Sequence, residues 1–184
     1  MNPEIVQRNI ITWVRNCAMQ REKTMNKQEV YGFLADQGIP YEITEHPPLN
    51  NVEELLAAKL PYPEAQAKNL FVRDDKKRHY YIITTKEQKR IDLKAFRLKH
   101  ELRPLSFASS DDLMSILKLS PGSVTPLGLL NDETSSVELY LDSEFKDLIG
   151  VHPNENDATV WLSVSDLIRI IQNHGNTVHL VEIP

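Results

Sequence analysis

The sequence predicts a mixed α/β fold (α+β), in which a central mixed β-sheet is packed against surrounding helices. Segments with apolar residues at helical spacing are interleaved with short segments in which apolar and polar residues alternate. The chain has 184 residues, 41% of them hydrophobic, which is enough for one domain with a buried core. Interleaved helices and short strands are typical of a sheet covered by helices.

The N-terminal segment predicts a helical extension (residues 1–25) ahead of a domain (residues 26–184). Apolar residues recur at helical spacing over residues 3–20: Val6, Ile10, Trp13, Val14 and Cys17. The domain begins with a capping-box pattern at Asn26 and Glu29, which starts a helix that ends at Gly38. A short strand then follows at Tyr41–Thr44, and a further helix begins at Asn51.

The rest of the chain predicts a hairpin followed by alternating helices and strands. The hairpin pairs Asn69–Arg73 with His79–Thr84 around a polar turn. The later elements, in order, are a helix at Asp92–Lys99, a buried strand at Leu105–Ala108, a helix capped by Ser109 and Asp112, a half-buried strand at Val137–Leu141, a strand at Ala158–Leu162, a helix at Ser165–His174 that ends at Gly175, and a strand near Thr177–Glu182.

Composition favours a cytoplasmic protein without disulfides. Cys17 is the single cysteine, no targeting signal opens the chain, and no apolar run reaches membrane-spanning length. The net charge of -5 conceals a division: residues 68–103 hold 12 Lys/Arg against 5 Asp/Glu, a local charge of +7, so the remainder carries -12. The basic segment either steers an anionic ligand or is a solvated, lysine-rich surface.

The usual catalytic signatures are absent from the sequence. Cys17 lies on an apolar stripe, and no Gly-x-Ser-x-Gly elbow occurs. The six histidines show no HExxH or other compact ligand spacing. The sequence therefore gives no support for a covalent nucleophile or a metal, and we expect neither a metal nor another cofactor.

Three local groups are candidates for a site. The first is the stiff segment Pro121-Gly122-Ser123-Val124-Thr125-Pro126, which is either a surface turn or a loop that offers backbone amides and hydroxyls to a ligand. Lys68, followed by Asn69, is either a solvated edge charge or a point charge for a phosphate or carboxylate. His152 is either a structural loop residue or a catalytic base.

Taken in order, these motifs resemble the prolyl-tRNA editing family. The pieces are His46-Pro47-Pro48, Lys68-Asn69-Leu70-Phe71-Val72, Asp92-Leu93-Lys94, Pro121 to Pro126, Asn131-Asp132 and His152-Pro153-x-x-Asn156. The family includes free-standing deacylases of the ProXp-ala and PrdX type, and it is related to YbaK proteins and to the editing domain of bacterial prolyl-tRNA synthetases. The resemblance runs from about Asn26 to the C-terminus and implies the fold of that editing domain.

The resemblance implies a cytoplasmic hydrolase that frees tRNA(Pro) from a wrongly attached small amino acid, most of all alanine, without a metal or a protein nucleophile. The partners it implies are the tRNA acceptor end and prolyl-tRNA synthetase. It assigns catalysis to Lys68, Gly122 and His152, and substrate binding to Asn69, Ser123, Val124, Thr125, Pro126 and Asn156. In this assignment Lys68 engages the terminal adenosine or its phosphate, and the Gly-Pro loop holds the aminoacyl group.

Two alternatives stay open. The substrate is another small aminoacyl-tRNA, such as cysteinyl-tRNA(Pro), or the protein is a non-catalytic module that binds aminoacyl-tRNA or a synthetase through its N-terminal helix. The hydrolytic reading is chemically consistent, because an aminoacyl ester is already activated and preorganised donors can stabilise the developing oxyanion.

Overall fold

The computed structural model describes residues 24–49, 54 and 58–184. The helix predicted over residues 3–20 and most of the helix predicted from Asn51 lie outside the described residues, and the domain boundary at residue 26 stays a prediction. The described helices are α1 (Lys27–Asp36), α2 (Leu93–Lys99), α3 (Ser110–Leu117) and α4 (Val164–His174). The strands are β1 (Tyr41–Glu45), β2 (Ala67–Asp74), β3 (Tyr80–Lys86), β4 (Leu105–Phe107), β5 (Val137–Asp142), β6 (Leu148–Val151), β7 (Ala158–Ser163) and β8 (Val178–Val181).

The strands form a mixed sheet of five and an antiparallel sheet of three. The larger sheet has the order β4-β2-β3-β5-β8, with β3, β5 and β8 parallel to one another and β2 antiparallel to β3 and β4. The smaller sheet has the order β1-β7-β6. A single bridge between Gln66 and Gly150 joins the start of β2 to β6. The predicted mixed α/β class is confirmed, with the strands divided between two sheets.

The larger sheet is covered on both faces. Leu139 and Leu141 of β5 belong to the main core, which also takes residues from α1, α3, α4 and the smaller sheet. Tyr140 points to the opposite face, where it packs in a smaller cluster with Phe96 of α2. Because successive residues of a strand alternate between faces, β5 is buried on both. The prediction of a half-buried strand here is therefore wrong.

Local signals located most elements, and the misses have simple causes. Capping boxes at Asn26 and Ser109 start α1 and α3 as predicted. The strand at Leu105–Phe107 is not buried, since Phe107 is 61% exposed on a three-residue edge strand. Strand β6 was not predicted, because only four residues form it and one of them is Gly150. None of the helices in the described residues is long and apolar enough to cross a bilayer.

Gly150 is required by the close approach of the Trp161 ring. A Cβ atom on Gly150 would lie 2.2 Å from Cζ3 of Trp161, whose indole is buried and donates to the Thr44 hydroxyl at 2.8 Å. We predict that Gly150→Ala destabilises the protein by about 1–3 kcal/mol, since the anchored ring cannot move away cheaply. Urea denaturation measures the change.

Gly32→Ala is the matched control for this substitution. No atom lies within 4 Å of the Cβ position of Gly32, which is in the interior of α1. Alanine has the higher helix propensity, so this variant should be more stable than the wild type by roughly 0.5–1 kcal/mol. Equal stability of Gly150→Ala and the wild type would contradict the packing argument.

Candidate functional site

The loop Pro121–Pro126 is attached to the larger sheet through Asn69. The Asn69 amide donates to the Val124 carbonyl at 3.1 Å, and its oxygen accepts a hydrogen bond from the Thr84 hydroxyl at 2.8 Å. Asn69 and Thr84 are cross-strand partners on β2 and β3. One side chain therefore ties the loop to two strands at once.

A second attachment joins the same loop to the connection between β6 and β7. The hydroxyl of Thr125, a fully buried residue, donates to the His152 carbonyl at 2.7 Å. Thr125 also precedes a short 3₁₀ helix, Pro126–Asn131, whose first turn it caps by accepting from the Leu127 amide at 3.4 Å. The predicted loop is therefore neither a free surface turn nor flexible at its C-terminal end.

A cleft of about 220 Å³ lies where the loop meets β2. Its lining residues are Asn69, Leu70, Phe71, Phe107, Ala108, Ser109, Ser110, Leu113, Pro121, Gly122 and Val124. Gly122 has a φ of +89°, which side chains rarely adopt, and its backbone faces the cleft without a side chain. The loop thus gives the cleft one wall made largely of backbone.

His152 is held in one orientation on the far side of the loop. Its Nδ1 lies 3.1 Å from the Ala158 carbonyl, so Nδ1 carries the proton and donates, which makes Nε2 an acceptor in the neutral ring. Burial lowers the pKa of His152 below its usual value, and the nearby His46, whose ring centroid is 6.3 Å away, lowers it further. His152 is thus a neutral hydrogen-bond acceptor near pH 7.

Asn156 brings the β6–β7 connection next to Gly122. A Cβ atom on Gly122 would lie 3.7 Å from Nδ2 of Asn156, and that Nδ2 donates to the Leu49 carbonyl at 2.9 Å. The same connection is fixed at Asn154, whose amide donates to the Met25 carbonyl at 2.7 Å. Met25, the last residue of the predicted extension, therefore contacts the domain directly.

Lys68 lies apart from the other predicted site residues. It is on the face of β2 that carries Leu70 and Val72, whereas Asn69 is on the opposite face. The Lys68 ammonium donates to the carbonyl oxygens of Glu87 and Lys89. The lining of the cleft includes Gly122 but not Lys68 or His152.

The remaining predicted residues support the loop from inside. Ser123 is buried in a turn, where its amide donates to the Ser120 carbonyl at 3.1 Å, and Pro126 is buried at the start of the 3₁₀ helix. The structure thus brings Asn69, Gly122 and Val124 to the cleft, links Thr125 to His152, and places Asn156 beside Gly122. The catalytic and binding roles of all nine residues stay predictions.

Two motif residues that sequence analysis grouped with the site organise the fold. Asn131 accepts from the Met25 amide at 2.7 Å and donates to the Leu117 carbonyl at 2.9 Å. Asp132 accepts from the Val137 amide and from the Asn176 side chain. Thr84, which orients Asn69, was missed, because a cross-strand hydroxyl contact has no local sequence signal.

The basic segment is less basic in space than in sequence. Four of its cations are in ion pairs with acidic side chains: Arg73, Lys89, Lys99 and Arg103. The turn between β2 and β3 keeps three consecutive cations, residues 76–78, at its tip. Any electrostatic steering of an anion is therefore concentrated at the end of this hairpin.

Comparison with known proteins identifies the family. A sequence profile described as the aminoacyl-tRNA editing domain matches residues 46–170, which include the Lys68-Asn69 pair, the Gly-Pro loop and His152. The chain belongs to the aminoacyl-tRNA editing domain family. The resemblance predicted from the sequence motifs is thereby confirmed at the level of the family.

Individual relatives of this editing domain agree with the match. The prolyl-tRNA editing protein ProX of Acetoanaerobium sticklandii is 40% identical over 159 residues, 85% of this chain and 97% of the relative. The prolyl-tRNA synthetase associated domain-containing protein 1 of Bos taurus is 34% identical over 78% of this chain and 86% of its own. A solved structure of a protein proposed as a trans-editing enzyme for prolyl-tRNA synthetase has the same fold, with a TM-score of 0.63 at 20% identity, covering 86% of this chain and 97% of that one.

The lowered pKa of His152 predicts how the stability of the editing domain depends on pH. The unfolded chain binds a proton at this ring near pH 6.5, whereas the folded protein does so only at lower pH. The unfolded state therefore holds more protons below pH 6.5, so the free energy of unfolding should fall as the pH drops from about 6.5 through the folded-state pKa.

His152→Asn should flatten this decline, and urea denaturation at pH 7, 6 and 5 measures it. His79→Asn, which changes an exposed residue, serves as the control and should keep the wild-type pH dependence. A decline in His152→Asn as steep as in the wild type would show that other groups cause it.

Proposed function

We propose that this protein is a trans-acting editing hydrolase that deacylates tRNA(Pro) mischarged with a small amino acid, alanine before others. The observation that carries the proposal is the backbone wall at Gly122, fixed from two sides by Asn69 and Thr125 next to a small cleft. At about 220 Å³ the cleft is smaller than the roughly 300–1,000 Å³ typical of pockets for drug-sized ligands. The name and full-length match of the ProX relative support the same reaction.

The reaction needs few groups from the protein. Water attacks the ester carbonyl carbon, the tetrahedral intermediate collapses, and the bond from that carbon to the ribose oxygen breaks, so the ribose regains a hydroxyl and the amino acid leaves as a carboxylate. A ribose hydroxyl of the terminal adenosine assists the water. The neutral His152 ring accepts a hydrogen bond through Nε2, and positioning supplies most of the remaining rate enhancement.

Rejection of proline is steric in this proposal. A hydrophobic pocket separates side chains that differ by one methylene by only about 1–3 kcal/mol, so the rigid backbone wall has to exclude the larger ring. A wall held by two side chain to backbone bonds gives way less than one made of rotatable side chains. Alanine is therefore the expected substrate, with cysteine as its nearest competitor.

Lys68 retains its proposed contact with the terminal adenosine or its phosphate. An ammonium has three N–H donors, so the two carbonyl contacts to Glu87 and Lys89 do not exhaust it. We expect Lys68→Ala to raise KM for charged tRNA more than it lowers kcat. Unchanged kinetics would remove Lys68 from the substrate site.

Purified protein incubated with tRNA(Pro) charged with alanine, cysteine or proline tests the function. We expect alanine to be released at least about tenfold faster than proline, which corresponds to roughly 1.4 kcal/mol of discrimination. Release is measured as loss of labelled aminoacyl-tRNA. Equal rates for alanine and proline, or no release at all, would contradict the proposal, and faster release of cysteine would reassign the substrate.

Gly122→Ala should separate a role in the site from a role in folding. Alanine at a φ of +89° is strained, and Gly38→Ala, at a φ of +63° with no atom within 4 Å of its Cβ position, is the matched control. Both variants should lose about 1–2 kcal/mol of stability. Only Gly122→Ala should lose deacylation, by at least tenfold, because its methyl group enters the cleft. An equal loss of activity in both variants would refute this assignment.

A further inference from the structure

Asn156 holds a buried acceptor that nothing in the described part of the chain satisfies. Its Oδ1 is shielded from solvent and has no hydrogen-bond partner there. Its Nδ2 donates to the Leu49 carbonyl at 2.9 Å. Since a carbonyl oxygen pairs only with a donor, this contact fixes which end of the amide is the nitrogen, and the oxygen is left over. A buried acceptor without a donor costs free energy unless a ligand or water supplies one.

The backbone around Asn156 is locked in place by several contacts. The Lys27 ammonium binds the Asp157 carboxylate at 2.9 Å, and the Lys27 backbone amide donates to the Glu155 carboxylate at 3.1 Å. The His46 amide donates to the Asp157 carbonyl at 3.0 Å. Both neighbours of Asn156 are thus fixed, so the amide cannot easily turn its oxygen toward water.

The position of Asn156 relates this acceptor to the substrate. Gly122 lines the cleft, and its Cβ position is 3.7 Å from the Asn156 amide nitrogen. Within an alanyl ester the carbonyl and ester oxygens only accept hydrogen bonds, and the α-ammonium is the one donor. Resting on the proposed function, we infer that Asn156 Oδ1 binds the α-ammonium of the aminoacyl group and so makes a free α-amine a condition for hydrolysis.

This contact predicts a specificity that pocket size alone does not give. An ammonium donating to a carbonyl forms a charge-assisted bond, which is stronger than a bond from a hydroxyl. Esters that lack the ammonium, such as 2-hydroxyacyl-tRNA, should therefore be poor substrates even when their side chain is identical to that of alanine. A purely steric site would treat the two esters alike.

The test compares alanyl-tRNA(Pro) with lactyl-tRNA(Pro), in which a hydroxyl replaces the ammonium. Each rate is divided by the uncatalysed rate of the same ester, because the ammonium also activates the ester in water. For the wild type we expect kcat/KM to favour alanyl by about ten- to a hundredfold. Asn156→Ala should bring this ratio close to one, and Asn156→Asp, whose carboxylate also accepts from an ammonium, should restore it.

Asn154→Ala is the matched control. Asn154 also has a buried, unpartnered Oδ1 and donates through Nδ2 to a backbone carbonyl, but its oxygen lies near Gly128 and not at the cleft. This variant should lower the melting temperature and keep the wild-type ratio.

Three outcomes would overturn the inference. Wild-type protein that hydrolyses lactyl-tRNA as well as alanyl-tRNA would refute it while leaving the proposed function intact. An unchanged alanyl preference in Asn156→Ala would also refute it. Failure of the wild type on both esters would remove the proposed function itself, and the inference with it.

Discussion

The hydrogen bond from the Thr125 hydroxyl to the His152 carbonyl joins the two halves of the candidate site. Thr125 lies on the path into β5 of the larger sheet, and His152 follows β6 of the smaller sheet. The two loops belong to different sheets, so without a direct contact their relative position would depend on the packing of whole layers. Because Thr125 is fully buried, loss of the donor would leave a carbonyl unpaired, at a cost of about 1–3 kcal/mol.

The same strategy recurs throughout the domain, where short polar side chains connect backbone segments that no ladder or helix joins. Asn69 links the loop to the sheet, Asn131 links the start of α1 to the end of α3, and Asn176 donates to both Asp132 and the Val137 carbonyl. A buried amide that is fully paired tolerates few alternative arrangements, since any shift leaves a polar group without a partner. Rigidity at the cleft thus follows from satisfied polar groups as much as from apolar packing.

The arrangement suits a reaction whose substrate is already reactive. An aminoacyl ester needs correct placement and stabilisation of a transient negative charge more than it needs a strong base. The site provides a backbone wall at Gly122 and a histidine kept neutral by burial. The unpartnered Asn156 oxygen adds a group suited to a donor on the ligand.

The sequence by itself determined the local features of this protein. Capping residues such as Asn26 and Ser109 act within one helical turn, and the Gly-Pro loop and the motif order need only the covalent chain, so the helices, the hairpin, the fold class and the family could all be predicted. The burial of β5 on both faces could not, because it depends on which helices cover each face of the sheet.

Only the tertiary structure decided which motif residues meet. Lys68 and Asn69 are adjacent in sequence, yet the alternation of side chains along β2 sends them to opposite faces, and only Asn69 reaches the Gly-Pro loop. Thr125 and His152 are 27 residues apart and come together because two sheets pack against each other. Motifs record which residues a site requires, whereas strand alternation and layer packing determine which of them face the same space.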